Sequence, residues 1–313
     1  MKQVLTMTMN PCIDRTIYFS QFKAGATNYV DNIMEEAAGK GINVAVGLAH
    51  IHVPVKAIGF VYEENAKCLF EKQEKEQVSY DFVKLPGRMR VNQKLFDTST
   101  REMTECNERG CPVNQEEVER LLELLKKELQ QAAILVLSGS VPPGVDADIY
   151  ARMICLAKKA GVLTVLDASG SLLEEGIKEQ PYLIKPNRDE FVGTFLGTKQ
   201  EEWDAEKSDA SEIKTNLSEI EKIAEKAAEL VAGGVEHICI SLGKDGMMLV
   251  NADGVYNYPA IKADVKSLQG AGDAMVAGLC KAIYEKEEKK MAEYALKMAA
   301  STISLEGSRM GSL

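Results

Sequence analysis

The stretch GAGDAMVAG at residues 270–278 places a glycine-containing turn directly before a segment of helical spacing. Gly270 and Gly272 give the backbone freedom at the turn, and Ala274 and Ala277 begin the apolar face of the helix that follows. The first N–H groups of a helix lack partners within the helix, and the positive end of the helix dipole lies beside them. The stretch therefore predicts a turn that can hold the oxygens of a phosphate group.

Asp273, in the first turn of this helix, allows two interpretations. A carboxylate beside a bound phosphate can accept the proton of a substrate hydroxyl. An acidic residue in a first turn can also do no more than stabilise the helix N-terminus, and the segment alone does not separate the two. A Walker A loop is excluded, because Lys40 and Lys244 are followed by glycine and aspartate where that motif requires serine or threonine.

Around this stretch, short apolar runs rich in β-branched residues alternate with segments of helical period. Each short run is typical of a buried strand, and the alternation predicts an α/β fold with a mostly parallel central sheet between helices. The predicted strands lie at 4–7, 55–60, 134–137, 162–166, 182–184, 237–240 and 248–250, and the clearest helices at 116–129, 149–160 and 220–231.

Two segments, 11–37 and 88–107, instead alternate polar and apolar residues in a strand-like way without helical spacing. They predict a small antiparallel β lid that projects from a large α/β domain. The large domain then comprises residues 1–10, 38–87 and 108–313.

Composition and charge narrow the class of protein. With 313 residues, 45 % of them hydrophobic, the chain can bury a sizeable core. Its 37 basic and 47 acidic residues give a net charge of -10 without a basic stripe, so we expect no binding to nucleic acid or to a membrane. Seven scattered cysteines indicate a reducing compartment, and we expect a cytoplasmic protein.

The acidic residues 198–221 are interpreted as a solvated surface loop or insertion.

A second glycine-containing turn, Gly39-Lys40-Gly41, also precedes a helix. Lys40 and Asn43 can bind a sugar phosphate and its hydroxyls there, although an ordinary turn with a solvated lysine has the same pattern. Asp14 follows the first strand, at the edge where parallel sheets usually bind ligands. It is either a hydroxyl ligand or a simple turn residue.

Two further polar segments follow predicted strands. Asn187 and Glu190 are three residues apart, so in a first helical turn their oxygens can face one hard cation such as Mg²⁺, or they can cap the helix. In the segment 241–246, Gly243 and Gly246 permit close approach to a nucleotide, or form an ordinary hairpin turn.

Taken together and in this order, the motifs resemble the ribokinase-like, phosphofructokinase-B family of carbohydrate kinases. Within that family they are similar to the branch of 1-phosphofructokinase and tagatose-6-phosphate kinase. The resemblance extends from Thr6 to about Thr302, and the segments that carry it are 10–14, 39–43, 90–92, 104–105, 138–142 and 185–187.

The resemblance implies an enzyme that uses ATP and Mg²⁺ and whose lid closes over a sugar. It assigns Asp273 as the catalytic base and the backbone of Gly270, Ala271 and Gly272 as the anion hole. The residues it implies for the sugar phosphate are Asp14, Gly39 and Asn43 at the hydroxyls, and Lys40, Arg90 and Ser138 at the phosphate. Those it implies for the nucleotide are Lys185, Asn187, Ser241, Gly243 and Gly246, with Asn187 and Glu190 also ordering Mg²⁺ and its waters.

The expected reaction is transfer of the ATP γ-phosphoryl group to a ketohexose monophosphate, with fructose 1-phosphate first and tagatose 6-phosphate second. A kinase of an unphosphorylated sugar or nucleoside is one alternative, and a non-catalytic sugar-phosphate binding or regulatory protein is another. The chain departs from the family pattern at Tyr29, Ala38 and Gln269, and the first two bear on the identity of the sugar phosphate. The resemblance also implies a homodimer formed through the lid.

Overall fold

The computed structural model describes residues 2–197, 212–307 and 309–313. In chain order the strands are β1 (Gln3–Thr8), β2 (Cys12–Phe19), β3 (Asn32–Ala38), β4 (Val55–Tyr62), β5 (Ser79–Leu85), β6 (Arg90–Asp97), β7 (Met103–Asn107), β8 (Ala132–Ser138), β9 (Leu163–Asp167), β10 (Leu183–Ile184), β11 (His237–Ser241), β12 (Met247–Asn251) and β13 (Gly254–Tyr258). The helices are α1 (Lys40–His50), α2 (Lys67–Lys75), α3 (Gln115–Glu128), α4 (Ile149–Lys159), α5 (Ser171–Ile177), α6 (Arg188–Phe195), α7 (Glu212–Ala232), α8 (Ala271–Tyr284) and α9 (Met291–Ile303).

The large sheet has nine strands in the order β13-β12-β11-β10-β9-β8-β1-β4-β5. All neighbours from β11 to β5 are parallel, and β12 and β13 add antiparallel strands at one edge. Every predicted strand lies in this sheet, and so do β5 and β13, which the apolar runs did not predict. The mostly parallel sheet is thus confirmed.

Helices cover both faces of this sheet. Successive residues of a strand point to opposite faces, so neighbouring residues of β1 pack against different helices. Val4 belongs to one apolar cluster and its neighbour Leu5 to another. The Val4 cluster includes residues of α1, α8 and α9, such as Val44 and Val276, whereas the Leu5 cluster includes residues of α3 to α6, such as Phe191. This layering places the N-termini of α1 and α8 on the same side of the sheet.

The small sheet has four strands in the order β3-β2-β6-β7 and lies in the segments predicted for the lid. Its outer pairs, β2 with β3 and β6 with β7, are antiparallel as predicted. The central pair of β2 and β6 is parallel. A parallel pair is allowed here because β2 and β6 are connected by the long segment 20–89, which includes β3 and the large-sheet strands β4 and β5, whereas a tight turn would impose an antiparallel pair.

The prediction of a loop over residues 198–221 is wrong for its last ten residues, because α7 already begins at Glu212. The sequence has apolar residues at 213, 217, 220 and 223, a helical spacing that the high charge of the segment obscured. The first part of that prediction, residues 198–211, lies outside the described residues.

The carboxyl ends of β1, β8, β9 and β10 meet at one edge of the large sheet, because these neighbours are parallel. The polar residues that end or follow these strands therefore lie near one another. None of the helices in the part of the chain that the structure describes is long and apolar enough to cross a membrane.

Candidate active site

The glycine-containing turn that the sequence predicts at residues 270–272 is present at the start of α8. Gly270 is the N-cap residue with φ of 74°, a left-handed conformation that glycine adopts without strain. Ala271 is the first helical residue, and Gly272 and Asp273 follow in the first turn. The sequence prediction of a turn that opens a helix is confirmed.

Asp273 is buried, with 6 % of its surface exposed, and its Oδ2 accepts a hydrogen bond from Asn43 Nδ2 at 2.8 Å. This bond joins the first turns of α8 and α1. Burial raises the pKa of Asp273 to about 6, because a charged carboxylate is poorly solvated there, while nearby Lys40 acts in the opposite direction. A carboxylate with a pKa near neutrality is well suited to accept a hydroxyl proton.

An aspartate that sequence reasoning missed, Asp167, lies between two of the predicted lysines. Its Oδ1 is 3.1 Å from Lys185 Nζ and its Oδ2 is 3.4 Å from Lys40 Nζ. Burial alone raises the pKa of Asp167, but the two ammonium groups outweigh it and the net shift is downward. Asp167 in turn raises the pKa of Lys40 above its ordinary value. A signal was available, since Asp167 ends a predicted strand at the edge where ligands bind.

A cavity of about 230 Å³ opens at this edge of the large sheet. Four of the predicted residues, Lys40, Arg90, Ser138 and Glu190, line it. The other lining residues are Thr8, Asn10, Gly139, Ser140, Ala168 and Ser169.

Two basic side chains and several buried oxygens give this cavity its chemistry. Thr8 Oγ1, Asn10 Oδ1 and Ser138 Oγ are buried and have no hydrogen-bond partner within the described residues. Buried polar atoms are normally paired, so these three atoms are suited to a ligand that supplies the missing partners. Together with Lys40 and Arg90, they favour an anionic, hydroxyl-bearing ligand.

Arg90 connects the small sheet to the loops of the large one. Its Nε donates to the Asn10 carbonyl at 3.3 Å, and its Nη1 donates to the Glu108 carbonyl at 3.1 Å and to Asn92 Oδ1 at 3.3 Å. Asp14 does not line the cavity. Its carboxylate accepts hydrogen bonds from Asn92 Nδ2 at 3.1 Å and from Lys94 Nζ at 2.8 Å.

Asn187 and Glu190 form a capping box at the start of α6. Asn187 Oδ1 accepts from the Glu190 N–H, and Glu190 Oε2 accepts from the Asn187 N–H, both at 2.8 Å. The capping alternative is therefore confirmed. Glu190 Oε1 lies 3.9 Å from Lys40 Nζ. Within the described residues no group of three or more His, Cys, Asp or Glu side chains could hold a metal by itself.

The segment 241–246 forms the connection between the antiparallel strands β11 and β12, so the hairpin alternative is also confirmed. Gly243 begins a short 3₁₀ turn. Gly246 has φ of 98°, and a Cβ at this position would lie 2.0 Å from the Tyr258 carbonyl oxygen. Packing against β13 therefore explains this glycine without a ligand.

Several residues predicted for the nucleotide do lie close together. Ser241 forms a β-bridge with Asn187, and its N–H donates to the Pro186 carbonyl at 3.1 Å. Lys185 Nζ is 3.5 Å from the position that a Cβ on Gly272 would occupy, so this amine lies beside the turn at the start of α8.

The departures from the family pattern occupy different environments. Gln269 Nε2 approaches Met103 Sδ on β7 at 3.6 Å, which brings the small sheet into contact with the residue before the turn at the start of α8. Ala38 is buried at the end of β3, and Gly39 caps α1 with φ of 148°. Tyr29 is 86 % exposed.

Comparison with known proteins identifies the family of this chain. The model of the pfkB family of carbohydrate kinases matches residues 7–312, and the chain belongs to that family. It is therefore a kinase, a phosphotransferase that acts on carbohydrates.

Individual relatives support the same assignment. The chain is 31 % identical over 304 residues to a protein named 1-phosphofructokinase from Escherichia coli strain K12, covering 97 % of this chain and 90 % of the relative. Its structure matches phosphofructokinase-2 from Escherichia coli with a TM-score of 0.85 and 24 % identity, over 100 % of this chain and 96 % of the other. It matches a ribokinase from Thermotoga maritima with a TM-score of 0.76 and 17 % identity, over 98 % and 95 % of the two chains. The two structural matches confirm the ribokinase-like fold.

Proposed function

We propose that this protein phosphorylates a ketohexose monophosphate with ATP, and that fructose 1-phosphate is the first candidate substrate. The observation that carries the proposal is the cavity lined by Lys40, Arg90 and Ser138, whose hydroxyl has no hydrogen-bond partner among the described residues. Lys40 lies in the first turn of α1 together with Asn43, which donates to Asp273. An unphosphorylated sugar has no group that requires two cations. A relative named 1-phosphofructokinase, matched over nearly the whole chain, supports the same substrate class.

The sugar phosphate would be held from two sides. Lys40, Arg90 and Ser138 bind its phosphate, because guanidinium, ammonium and hydroxyl groups all donate hydrogen bonds to phosphate oxygens. Asp14 and Asn43 bind its hydroxyls, and the backbone at Gly39 allows the sugar to approach α1. This arrangement leaves one free hydroxyl to face Asp273.

Asp273 acts as the general base in this proposal. Its carboxylate accepts the proton of the hydroxyl as that oxygen attacks phosphorus, and its pKa of about 6 keeps it mostly ionised at neutral pH. The N–H groups of the turn 270–272 donate to the oxygens of the transferring group, at the positive end of the α8 dipole. Lys185 adds a positive charge next to that turn.

ATP, when bound, supplies the γ-phosphoryl group, and Mg²⁺ neutralises the charge on its phosphates. The residues present fit both. Mg²⁺ prefers one or two carboxylates together with waters and phosphates, and Glu190 keeps Oε1 outside the capping box at the cavity wall. Asn187, Ser241, Gly243 and Gly246 would form the nucleotide side, with the hairpin 241–246 shaping its surface.

The small sheet would act as the lid. Its contact between Met103 and Gln269 lies next to the turn that holds the transferring group, so closure there would exclude water from the reaction.

The small sheet also carries Ile33, 52 % exposed, on the face opposite Asp14. We propose that two copies associate through this apolar face, and sedimentation velocity would detect the dimer.

A coupled assay of ADP release tests the substrate class. The panel contains fructose 1-phosphate, tagatose 6-phosphate, fructose and a nucleoside, each with ATP and Mg²⁺. We expect the highest kcat/KM with fructose 1-phosphate. Turnover of fructose or the nucleoside without turnover of either sugar phosphate would refute the proposal, and binding of a sugar phosphate without any turnover would indicate a binding protein.

A further inference from the structure

Lys94 is a buried lysine in a small sheet whose side chains are mostly half-exposed or exposed. It is 6 % exposed on β6, and its Nζ contacts Asp14 Oδ2 at 2.8 Å. Burial of an ammonium group is strongly unfavourable unless an opposite charge compensates it. Lys94 and Asp14 therefore depend on each other for their burial.

The register of the small sheet puts this ion pair on the face that meets the cavity. Asp14 on β2 is opposite Asn92 on β6, and Thr16 is opposite Lys94. Alternate residues of a strand share a face, so Arg90, Asn92 and Lys94 all point to the side on which Asp14 lies. Arg90, at the start of this row, lines the cavity.

Asn92 links the two ends of the row. Its Oδ1 accepts a hydrogen bond from Arg90 Nη1 at 3.3 Å, and its Nδ2 donates to Asp14 Oδ1 at 3.1 Å. Lys94 holds the other oxygen of the same carboxylate. Both oxygens of Asp14 consequently have fixed donors, which limits the positions that the carboxylate can take.

The negative charge of Asp14 is unfavourable for the binding of a phosphorylated sugar. Asp14 is suited to accept hydrogen bonds from sugar hydroxyls, but its negative charge repels a substrate that also carries a phosphate. An ammonium group in contact with the carboxylate cancels most of that field at the distance of the phosphate. Lys40 and Arg90, which line the cavity, are then the positive charges that the phosphate meets.

We propose that Lys94 is a positioning residue of the sugar site, which holds Asp14 in place and cancels its charge so that a phosphorylated sugar can bind. The inference rests on the proposed function, because it concerns binding of the same sugar phosphate. Lys94 acts through Asp14 and does not touch the substrate. Its removal should therefore affect substrate binding more than the chemical step.

Three variants test this role: Lys94→Met, Lys94→Arg and, as a matched control, Lys56→Met. Lys56 forms an ion pair of the same length, 2.8 Å from its Nζ to Glu128 Oε2, in the large sheet and outside the cavity. KM and kcat for fructose 1-phosphate are measured together with its Kd, by calorimetry in the presence of a non-hydrolysable ATP analogue.

In Lys94→Met we expect KM and Kd for fructose 1-phosphate to rise roughly tenfold or more, while kcat changes by less than about threefold. Lys94→Arg should restore both constants to within about threefold, because it keeps the charge. Lys56→Met should change neither. In an Asp14→Asn background the effect of Lys94→Met on Kd should shrink to about threefold or less, since the charge that Lys94 cancels is gone.

A fall in kcat with unchanged KM and Kd in Lys94→Met would overturn the inference, and so would failure of Lys94→Arg to restore binding. If Lys94→Met does not fold, Lys94→Gln replaces it. Failure of that variant to fold would show that the charge serves stability, which also overturns the inference. Wild-type turnover tests the proposed function separately: a protein that binds the sugar phosphate without turning it over refutes the kinase proposal but leaves Lys94 to be judged by Kd. A wild type without binding refutes both.

Discussion

Asp14 in the small sheet and Asp273 at the start of α8 are both aspartates with a donor nitrogen at 2.8 Å, but the donors differ in charge. Asp14 contacts the ammonium group of Lys94, whereas Asp273 contacts the neutral amide of Asn43. A neutral donor compensates burial of a charge less well than a cation, and the pKa of Asp273 rises to about 6. Burial of Asp273 beside a neutral donor thus raises the pKa of this carboxyl, whereas the Asp14 carboxylate lies in direct contact with a cation.

The variant with the largest expected effect on activity is Asp273→Asn. It keeps the size of the side chain and removes the proton acceptor. We expect kcat to fall by roughly 10³-fold, with little change in the Kd for the sugar phosphate. Steady-state kinetics and calorimetry measure the two quantities. Asp81→Asn, on the edge strand β5, is the control and should keep wild-type activity. Near-normal kcat in Asp273→Asn would exclude this residue as the base.

The two aspartates should also have opposite effects on stability at pH 8. The unfolded carboxyl of Asp273 has an ordinary pKa of 3.8 and the folded one about 6, so its charge opposes folding above pH 6 and costs nothing below pH 3.8. Asp273→Asn should then raise the free energy of unfolding by up to about 3 kcal/mol at pH 8, because one pKa unit corresponds to about 1.4 kcal/mol.

In Asp14→Asn the same free energy should fall, by about 3 kcal/mol, because the buried side chain of Lys94 loses its ion-pair partner. Urea unfolding at pH 8 measures both changes. The gain in Asp273→Asn should disappear as the pH approaches 4. Equal signs for the two variants would contradict the contrast between the two sites.

The pH dependence of kcat/KM tests the charge around Asp273. Its base form is required, so activity should fall below a pH of about 6. Lys40 lowers the pKa of Asp273, and Lys40→Met should therefore move this acidic limb to higher pH, in addition to weakening substrate binding. Profiles of kcat/KM from pH 5 to 9 give the pH at which activity falls, whatever the absolute rate of the variant. A limb that stays in place would show that another group controls it.

The smallest effect on activity is expected at the contact between the small sheet and the segment that precedes α8. Gln269→Ala removes the hydrogen bond to Met103, and a thioether sulfur is only a weak acceptor. We expect kcat to fall by about threefold or less, because closure of the small sheet becomes less favourable. Stopped-flow mixing with ATP and sugar phosphate would separate a slower closing step from slower chemistry.

Much of the fold followed from local patterns. Apolar β-branched runs predicted the strands of the central sheet, since a strand buried on both faces must be apolar along its length. The parallel pairing of β2 with β6 could not be predicted in the same way, because it depends on the path of the 70 residues, 20–89, between the two strands. The start of α7 was missed where charge was weighed above helical spacing.

In the candidate site, too, features set by neighbours in sequence could be predicted, and features set by distant partners could not. Glycine positions and the aspartate in the turn 270–273 were recognisable because backbone freedom and helix starts depend on neighbours in sequence. Asp167 and Lys94 were not recognised, since each acts through a partner far away along the chain. The roles of the individual site residues in substrate binding remain predictions that the variants above test.

The sequence by itself determined the alternating α/β architecture, the glycine-containing turn that opens a helix at Gly270 and the family to which the chain belongs. Only the tertiary structure decided that Asp273 is buried beside Asn43, that Asp167 lies between Lys40 and Lys185, and that Lys94 forms an ion pair with Asp14. The physical reason is that backbone conformation responds to adjacent residues. The charge state of a side chain instead depends on burial and on distances to groups that folding brings together.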